Sequence, residues 1–230
     1  MSGEFVIRPI AHIESDFREK FGIPRQAGIV GELEARIIFE PEYRAADAIR
    51  GIEGFSHLWL IWQFSEAVRD TGSPTVRPPR LGGNERMGVF ATRSPFRPNS
   101  LGLSCVRLVR AETGGSLGPV LTVAGADLMD GTPIFDIKPY IPYADSHPDA
   151  MGGFASVPAG ETLEVIIPPE LLAQIPEAHR EALRGVLAQD PRPHYQKDPE
   201  RIYGFPFAGM EVRFSVDGTR LTVRDIQKIR

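Results

Sequence analysis

The stretch LSCVRLVRAETGGSLGPVLTVAGADLMDGTPIFDIKPY, residues 103–140, decides the fold class. It contains three apolar segments of strand length, LSCVRLVR, PVLTVAGAD and TPIFDIKPY, which are separated by glycine and proline. No amphipathic helical repeat lies between them, which disfavours a doubly wound sheet. The stretch therefore predicts a closed or sandwiched antiparallel sheet, and of the two we expect a barrel.

The same pattern continues toward the N-terminus. Further strand-length segments are FVIRPIAHI (5–13), ELEARIIF (32–39), FSHLWLIWQF (55–64) and MGVFAT (87–92). One short helix is predicted in EYRAADAIRG, where Gly51 can close it. Side-chain alternation puts His57 on one strand face with Phe55, Trp59 and Ile61, and we expect this histidine to be buried and hydrogen-bonded. The first two-thirds of the chain is predicted to be mostly β.

The composition changes after about Tyr143. The segment ADSHPDAMGGFASVPAGE is polar and rich in glycine and proline, as a linker would be. After it, PPELLAQIPEAHREALRGVLAQD predicts two short helices broken by Pro176. EVRFSVDGTRLTVRDI predicts a hairpin that turns at Asp217-Gly218. We therefore predict a compact antiparallel β-barrel domain over residues 1–150 and a small α+β domain over residues 151–230.

The composition of the 230 residues, 42% hydrophobic and 24% charged, is that of an ordinary globular protein. The N-terminus carries acids and Arg8 where a signal peptide needs an unbroken apolar core, and no apolar run reaches membrane-spanning length. We expect a soluble cytoplasmic protein with no membrane partner. Cys105, the one cysteine, excludes an internal disulfide and a multi-cysteine metal site, and we expect it to be a small buried residue.

Positive charge is concentrated in residues 75–103, TVRPPRLGGNERMGVFATRSPFRPNSLGL, although the net charge of the chain is -4. This segment sets five arginines against one acid, Glu85: Arg77, Arg80, Arg86, Arg93 and Arg97. Guanidinium groups held between proline and glycine suit carboxylates, phosphates or stacked rings. The segment predicts an anion site, and the alternative is a solvated loop whose arginines pair with nearby acids.

Several common catalytic motifs are missing. The sequence has no G-x-G-x-x-G after a strand, no G-x-x-x-x-G-K-[ST], no H-E-x-x-H and no G-x-S-x-G. Rossmann dinucleotide binding, P-loop hydrolysis and zincin chemistry therefore lose support.

GVFATRSPFRPNSLG, residues 88–102, resembles the signature of the TsaA-like family. Four further segments match the same family in order: FGIPRQAG (21–28), IRGIEGFSHLW (49–59), DLMDGTPIFDIKPYIPYA (127–144) and LAQDPRPHY (187–195). The resemblance covers almost the whole chain. It departs at Ser100, where the family commonly has a second proline; because Pro98 still fixes the turn, we expect little perturbation.

The resemblance implies a compact β-barrel domain with a small C-terminal domain, in a homodimer. It also implies a bacterial tRNA methyltransferase that uses S-adenosylmethionine as methyl donor. We expect no metal. The implied reaction methylates N6 of threonylcarbamoyl-adenosine at position 37 of tRNA, beside the anticodon. Two other functions stay open: a non-catalytic RNA-binding module, and an S-adenosylmethionine-dependent methyltransferase that acts on a small molecule or a protein.

The resemblance also implies where the methyl donor binds. The matching positions are Pro24, Arg25, Gln26, Ser65, Glu66, Arg93, Leu103, Gly131, Thr132, Pro133 and Ile134. Arg25 or Arg93 would hold the carboxylate of the donor in a bidentate fork. The turn at Gly131 is expected to leave backbone groups free to read an adenine edge, because glycine tolerates close approach. Without the resemblance, the Gly131 turn is interpreted as an ordinary connection between strands, and the Pro24-Arg25-Gln26 run as a plain loop.

The acceptor chemistry calls for a proton acceptor. N6 of the modified adenosine belongs to a urea-like group and is a poor nucleophile until its proton leaves, so a general base would help. The candidate bases are Asp127, Asp130 and Asp136, each of which could instead make turn or strand-edge hydrogen bonds. The sequence does not choose among them.

The tRNA would be held by residues that contact phosphates and stack bases. The candidates are Arg77, Arg80, Arg86, Arg97, Arg192 and Tyr195. For the arginines of residues 75–103, the alternative is structural pairing. For residues 189–195, it is a helix end set by Pro191 and Pro193.

Overall fold

The structure, a computed structural model, describes residues 5–68, 73–156, 162–192 and 198–229. The chain divides into two compact units, which we call the barrel unit and the second unit. The barrel unit comprises Met1–Glu14, Ala35–Ala124 and Gly131–Ser146; the second unit comprises Ser15–Glu34, Gly125–Asp130 and His147–Arg230. Residues 15–34 and 125–130 thus group with the C-terminal part of the chain, and the domain division at residue 150 stays a prediction.

The described residues form short strands and still shorter helices. The strands are β1 Ala11–Glu14, β2 Glu34–Phe39, β3 His57–Gln63, β4 Thr75–Val76, β5 Met87–Gly88, β6 Leu101–Glu112, β7 Val120–Ala124, β8 Pro133–Pro139, β9 Glu164–Ile166, β10 Tyr203–Phe207, β11 Met210–Asp217 and β12 Arg220–Lys228. The α-helices are α1 Pro142–Asp145, α2 Pro169–Leu172 and α3 Glu177–Ala188. The 3-10 turns are Pro41–Tyr43, Ala46–Ile49, Ile52–Gly54, Ser65–Ala67, Pro79–Leu81, Val89–Ala91 and Gly153–Ala155.

Six strands close into a barrel in the order β1-β2-β7-β6-β3-β8, and β4 pairs with β5 beside it as a two-stranded sheet. In β3, alternate residues are buried, and Leu58, Leu60 and Trp62 fill the interior. Closure leaves no sheet edge unpaired. The predicted fold class, mostly β with a compact antiparallel barrel, is confirmed.

Three predicted elements take other forms. The segment EYRAADAIRG contains 3-10 turns rather than one helix. Gly51, where we expected the helix to close, has φ 85° and lies between the second turn and the third. In FVIRPIAHI only the last three residues join a strand, since Pro9 lies before β1 and Phe5 is 93% exposed. MGVFAT supplies the two residues of β5 and then a 3-10 turn.

The second unit is a four-stranded sheet packed on α3. The strand order is β10-β11-β12-β9, with β9 parallel to β12. Leu183 and Val186 of α3 share one buried cluster with Phe205 and Phe214 of the sheet. The two predicted helices and the hairpin are confirmed, because α2 ends before Pro176, α3 follows it, and β11 turns into β12 at Asp217-Gly218. Among the described residues, no helix has the length and apolar character needed to cross a bilayer.

A partly buried carboxylate connects residues 15–34 to α3. Asp16 Oδ2 lies 2.9 Å from Nδ1 of His179, whose ring meets Phe207 edge-on. Burial raises the pKa of Asp16 above 3.8, and the nearby His179 opposes this shift without reversing it. The folded state therefore favours protonated Asp16 more than the unfolded chain does.

We expect the free energy of unfolding of Asp16→Asn, relative to that of wild type, to increase as the pH rises from 4 to 7. A carboxyl group whose folded pKa is raised contributes stability below its unfolded pKa, and this contribution is lost as the pH rises through the folded pKa. Asparagine stays neutral and avoids that loss. Urea unfolding at several pH values measures the difference. A stability difference between Asp16→Asn and wild type that stays constant with pH would contradict the prediction.

Candidate active site on the barrel unit

Three neighbouring strands of the barrel unit place an implied donor contact and a candidate base on the same outer face, one strand apart. Ile61 lies on the outward face of β3, where it pairs with Leu103 of β6 on one side and Asp136 of β8 on the other. Directly paired residues of neighbouring strands share a face, with Cβ atoms about 5 Å apart. Leu103 and Asp136 therefore flank Ile61 in one row across the outer surface, which we call the Leu103–Asp136 row.

Both ends of this row are accessible. The Leu103 residue is 58% exposed and the Asp136 side chain 45% exposed. Asp136 Oδ2 lies 2.9 Å from the ammonium nitrogen of Lys138, and Oδ1 accepts a 2.9 Å hydrogen bond from the N–H of Ile137. Asp136 is thus an oriented, solvent-accessible carboxylate next to a cation and an apolar surface.

The other two candidate bases belong to the second unit. Asp130 Oδ1 accepts a 3.0 Å hydrogen bond from the N–H of Ser15, and its own N–H donates to Phe17 O. This arrangement favours the turn-forming alternative for Asp130. Asp127 is half-buried and follows Gly125, whose N–H and C=O bond to Leu33 and Gly28.

The loop that leads into β6 is braced by one of its own arginines. Arg97 Nη1 donates to Thr92 O at 3.0 Å, and the Thr92 hydroxyl donates to Val89 O at 2.9 Å. These bonds match the structural-pairing alternative for Arg97. Arg93 lies on the braced stretch with its side chain exposed, as an anion ligand requires.

Hydrogen bonding joins the end of β3 to the start of β6. The N–H of Phe64 donates to Ser100 O at 2.8 Å, just beyond the paired residues Gln63 and Leu101. Ser65 and Glu66 follow directly in an exposed 3-10 turn. The structure thus brings Ser65, Glu66 and Leu103 to the same end of two adjacent strands.

The exchange at Ser100 affects the backbone more than we expected. Ser100 is buried and has φ 46°, and its N–H donates to Arg97 O at 3.1 Å. Proline fixes φ near -65° and lacks an N–H, so it can adopt neither feature. The expectation of little perturbation is wrong, because this loop takes a conformation that a proline at position 100 excludes.

We expect Ser100→Pro to destabilise the protein by about 2 kcal/mol or more, because φ must change and a buried hydrogen bond is lost. Ser100→Gly should stay within about 1 kcal/mol of wild type, since glycine adopts positive φ freely. Chemical unfolding of the two variants measures both differences. A proline variant as stable as wild type would show that the left-handed conformation at this position is not required.

The turn before β8 is less open than expected. The N–H of Gly131 donates to Ile13 O, and Thr132 O accepts from the N–H of Ile13. The Ile134 side chain is fully buried, and Ile134 O accepts from Ile10. The expectation of free backbone groups is therefore wrong for the N–H of Gly131 and the carbonyl oxygens of Thr132 and Ile134, because residues in and next to β1 bond to all three. Pro133, the first residue of β8, pairs with His12 of the same strand.

The implied donor contacts at Pro24, Arg25 and Gln26 lie in the second unit. Pro24 is buried, while Arg25 is exposed. The side-chain amide of Gln26 donates to Arg25 O, and two residues later the N–H of Gly28 donates to Gly125 O at 2.8 Å. Arg25 is thus carried on a turn fixed by backbone hydrogen bonds.

The candidate RNA contacts divide into exposed and paired side chains. Arg77 and Arg86 are exposed, and Arg86 Nη1 donates to the Thr75 hydroxyl. Arg192 forms two hydrogen bonds, of 2.8 and 2.9 Å, with the Asp190 carboxylate, and its side chain is only 12% exposed. The Arg192 guanidinium is thus already paired with a neighbouring acid, and its contact with RNA stays a prediction. The Arg80 side chain and Tyr195 lie outside the described part of the chain.

Two expectations about the outer face of the barrel unit are corrected. His57 bonds to the Ser56 hydroxyl at 2.9 Å but is only half-buried, because β3 turns this face away from the barrel interior. Cys105 is likewise half-buried and pairs with Trp59 on the outside. Burial, and to a lesser extent Asp145, raises the pKa of the Cys105 thiol, which makes it a weak nucleophile at neutral pH.

Two family models match nearly the whole chain. The tRNA-methyltransferase O N-terminal domain matches residues 12–146, and the TrmO C-terminal domain matches residues 160–229. The chain belongs to the TrmO family. The resemblance drawn from the motifs is thereby confirmed.

Similar proteins span the same length. The tRNA (adenine(37)-N6)-methyltransferase of Escherichia coli K12 is 45% identical over 92% of this chain and 93% of its own. RcsF of Pseudomonas aeruginosa is 40% identical over 90% of this chain and 91% of its own. Its name describes it provisionally as an S-adenosylmethionine-dependent methyltransferase. The crystal structure of TrmO from Pseudomonas aeruginosa covers 99% of both chains at 33% identity, with a TM-score of 0.79.

Proposed function

We propose that this TrmO-family protein methylates N6 of adenosine 37 in tRNA, and that its natural acceptor is the threonylcarbamoylated form of that adenosine. The observation that carries the proposal is the Leu103–Asp136 row, which sets a carboxylate and an implied donor contact on either side of Ile61 on one exposed face. The product would be the N6-methyl derivative of threonylcarbamoyl-adenosine.

The enzyme class and the methyl donor follow from the family. Relatives are named tRNA (adenine(37)-N6)-methyltransferases and S-adenosylmethionine-dependent methyltransferases. The protein is accordingly an S-adenosylmethionine-dependent tRNA (adenine-N6)-methyltransferase, as the motifs implied. The donor brings a methyl group already activated on a sulfonium, so the enzyme is left mainly with alignment and proton removal.

The residues at the end of β3 and β6 fit the chemical groups of this donor. Exposed Arg93 offers a guanidinium that suits a carboxylate. Leu103 offers an accessible apolar surface for a purine ring, continued by Ile61 across the strand pair. Exposed Ser65 and Glu66 offer hydrogen-bonding groups at the same strand end. We propose that these residues of the barrel unit hold the donor; the implied contact at Arg25 stays a prediction.

Asp136 is our candidate for the general base. The N6 nitrogen of threonylcarbamoyl-adenosine is urea-like, so loss of its proton limits its nucleophilicity. Asp136 is accessible, oriented by Lys138 and the N–H of Ile137, and next in the row to Ile61 and Leu103. In this role its carboxylate accepts the N6 proton as the methyl group is transferred.

The acceptor can be tested directly. Purified protein and S-adenosylmethionine are incubated with matched tRNAs that carry or lack the threonylcarbamoyl group, and the nucleosides are analysed by mass spectrometry. We expect one added methyl only on the threonylcarbamoylated adenosine. Methylation of unmodified adenosine 37 would overturn the proposed acceptor but not the enzyme class, and no added methyl on either tRNA would overturn the activity.

We also propose, from the resemblance, that the protein works as a cytoplasmic homodimer. Light scattering coupled to size-exclusion chromatography should give twice the 25.4 kDa chain mass. A mass equal to one chain, at the concentrations used for activity, would contradict the dimer.

A further inference from the structure

Aromatic side chains continue the outer face of the barrel unit beyond the Leu103–Asp136 row. The Tyr140 ring lies 6.1 Å from that of His57, with the planes at 61°, and 5.8 Å from that of Trp59, with the planes at 44°. Phe55, two residues before His57, is 40% exposed. Tyr143, three residues after Tyr140, is 92% exposed. We call these five residues the aromatic face.

Hydrogen bonds hold this face in place. Trp59 Nε1 donates to Asp145 Oδ2 at 3.1 Å, and the same oxygen accepts from the N–H of Ile141 at 2.8 Å. The N–H of Tyr140 donates to His57 O at 2.9 Å. Asp145 thereby fixes α1, which carries Tyr143, against Trp59. Rings that are oriented before a ligand arrives lose little conformational entropy when it binds.

Positive charge borders the aromatic face. Arg107 of β6 pairs in register with His57 and is exposed, and Lys138 of β8 pairs with Trp59. Within the described residues, the Arg107 guanidinium has neither a hydrogen bond nor an ion pair. Stacking rings next to cations are what single-stranded nucleic acid requires, because bases stack while phosphates need charge.

The aromatic face adjoins the candidate active site. Trp59 is two residues from Ile61 on the same face of β3, which is a distance of about 7 Å along a strand. A nucleotide whose base stacks on Trp59 or Tyr140 would thus be a near neighbour of an acceptor placed at Asp136. Stacking of this kind accepts any base, so it positions an RNA loop without selecting its sequence.

We propose that the aromatic face binds unstacked bases of the tRNA anticodon loop next to the acceptor adenosine, with Arg107 contacting the phosphate backbone. The proposal rests on the proposed function, because it assigns the tRNA to this face of the barrel unit. It adds binding residues that lie outside the implied donor positions and outside the arginine-rich segment.

Tryptophan fluorescence tests the stacking. The chain has two tryptophans, Trp59 on the aromatic face and Trp62, which is 6% exposed in the barrel interior. Titration with an unmodified anticodon stem-loop RNA should quench the emission of wild type. In Trp59→Phe, which keeps an aromatic ring but removes the outer indole, the RNA-dependent quenching should disappear.

Binding measurements test the face without altering a buried group. Tyr143→Ala should weaken binding of the stem-loop RNA roughly tenfold, the effect of losing one stacked base. Arg107→Gln should reduce the slope of log affinity against log salt by about one. The matched controls are Phe5→Ala, at a 93% exposed aromatic that is not one of the five residues of this face, and Arg110→Gln, at an exposed arginine of β6 that pairs with Glu112. Both controls should bind as wild type does.

The outcomes separate this proposal from the proposed function. Methylation of tRNA with no quenching and with unchanged affinity in Tyr143→Ala would overturn the aromatic face and leave the enzyme intact. If tryptophan emission falls as the protein concentration rises in the absence of RNA, the face binds a second copy of the chain, and the proposal is overturned. RNA-dependent quenching in a wild-type protein that methylates no tRNA would support the face while overturning the proposed function.

Discussion

Gly102→Ala is expected to destabilise the protein by about 3–5 kcal/mol, the combined cost of overpacking a core and breaking a buried hydrogen bond. A Cβ on Gly102 would lie 2.3 Å from Cε2 and 2.5 Å from Cζ2 of Trp62, its partner across β3 and β6. The Trp62 ring cannot move aside freely, because its Nε1 donates to the Ser104 hydroxyl at 2.9 Å and its centroid lies 4.3 Å from that of the Phe64 ring. Thermal unfolding should show a melting temperature lower by roughly 10 °C or more.

Gly88→Ala is the matched control. Gly88 is also a strand residue and has φ -57°. A Cβ added at Gly88 would have no described atom within 4 Å. The variant's melting temperature should change by no more than about 2 °C, the effect of a few tenths of a kcal/mol. Trp62→Phe removes part of the indole that the new Cβ meets, so Gly102→Ala should cost less in that background. An equal cost in both backgrounds would show that the clash with Trp62 is not the cause.

The sequence predicted the fold where strand periodicity was strong. FSHLWLIWQF alternates cleanly, and β3 occupies His57–Gln63 with alternate residues buried. The same alternation cannot tell which face of a barrel strand points inward when both faces are apolar. The alternation therefore led us to expect His57 to be buried, whereas Leu58 and Trp62 of the opposite face occupy the core. The inward position required small Gly102 opposite Trp62, a pairing that exists only once strand register is fixed.

The motifs predicted some residues of the candidate site but not the aromatic face. The motifs pointed to Leu103 and Asp136 separately, and β3 between them brings the two together. Arg97 and Arg192 looked like RNA ligands because a sequence shows charge without its partners. Hydrogen bonds to Thr92 O and to Asp190 now account for them. The aromatic face was missed because Trp59 and Tyr140 lie far apart in sequence, and only the pairing of β3 with β8 makes them neighbours.

Asp136→Asn is expected to lower kcat for tRNA methylation by about 10²-fold or more, the effect of removing a general base. Asparagine keeps an oxygen that can accept from the N–H of Ile137, so the local backbone should be retained. Lys138 loses its partner but is 62% exposed, and an exposed ion pair contributes at most about 1 kcal/mol. The melting temperature, the calorimetric affinity for S-adenosylmethionine and the affinity for tRNA should therefore stay near those of wild type.

Glu112→Gln separates loss of a base from loss of a surface ion pair. Glu112 pairs with Arg110 two residues away on β6 at 3.1 Å, as Asp136 pairs with Lys138 on β8, and the two carboxylate side chains are similarly exposed at 53% and 45%. Single-turnover methylation with saturating donor and threonylcarbamoylated tRNA measures the chemical step for both variants. Glu112→Gln should react as wild type does, because its carboxylate lies outside the Leu103–Asp136 row. If Asp136→Asn also reacts at the wild-type rate, the proton on N6 is accepted elsewhere, and Asp127 and Asp130 become the next carboxylates to replace.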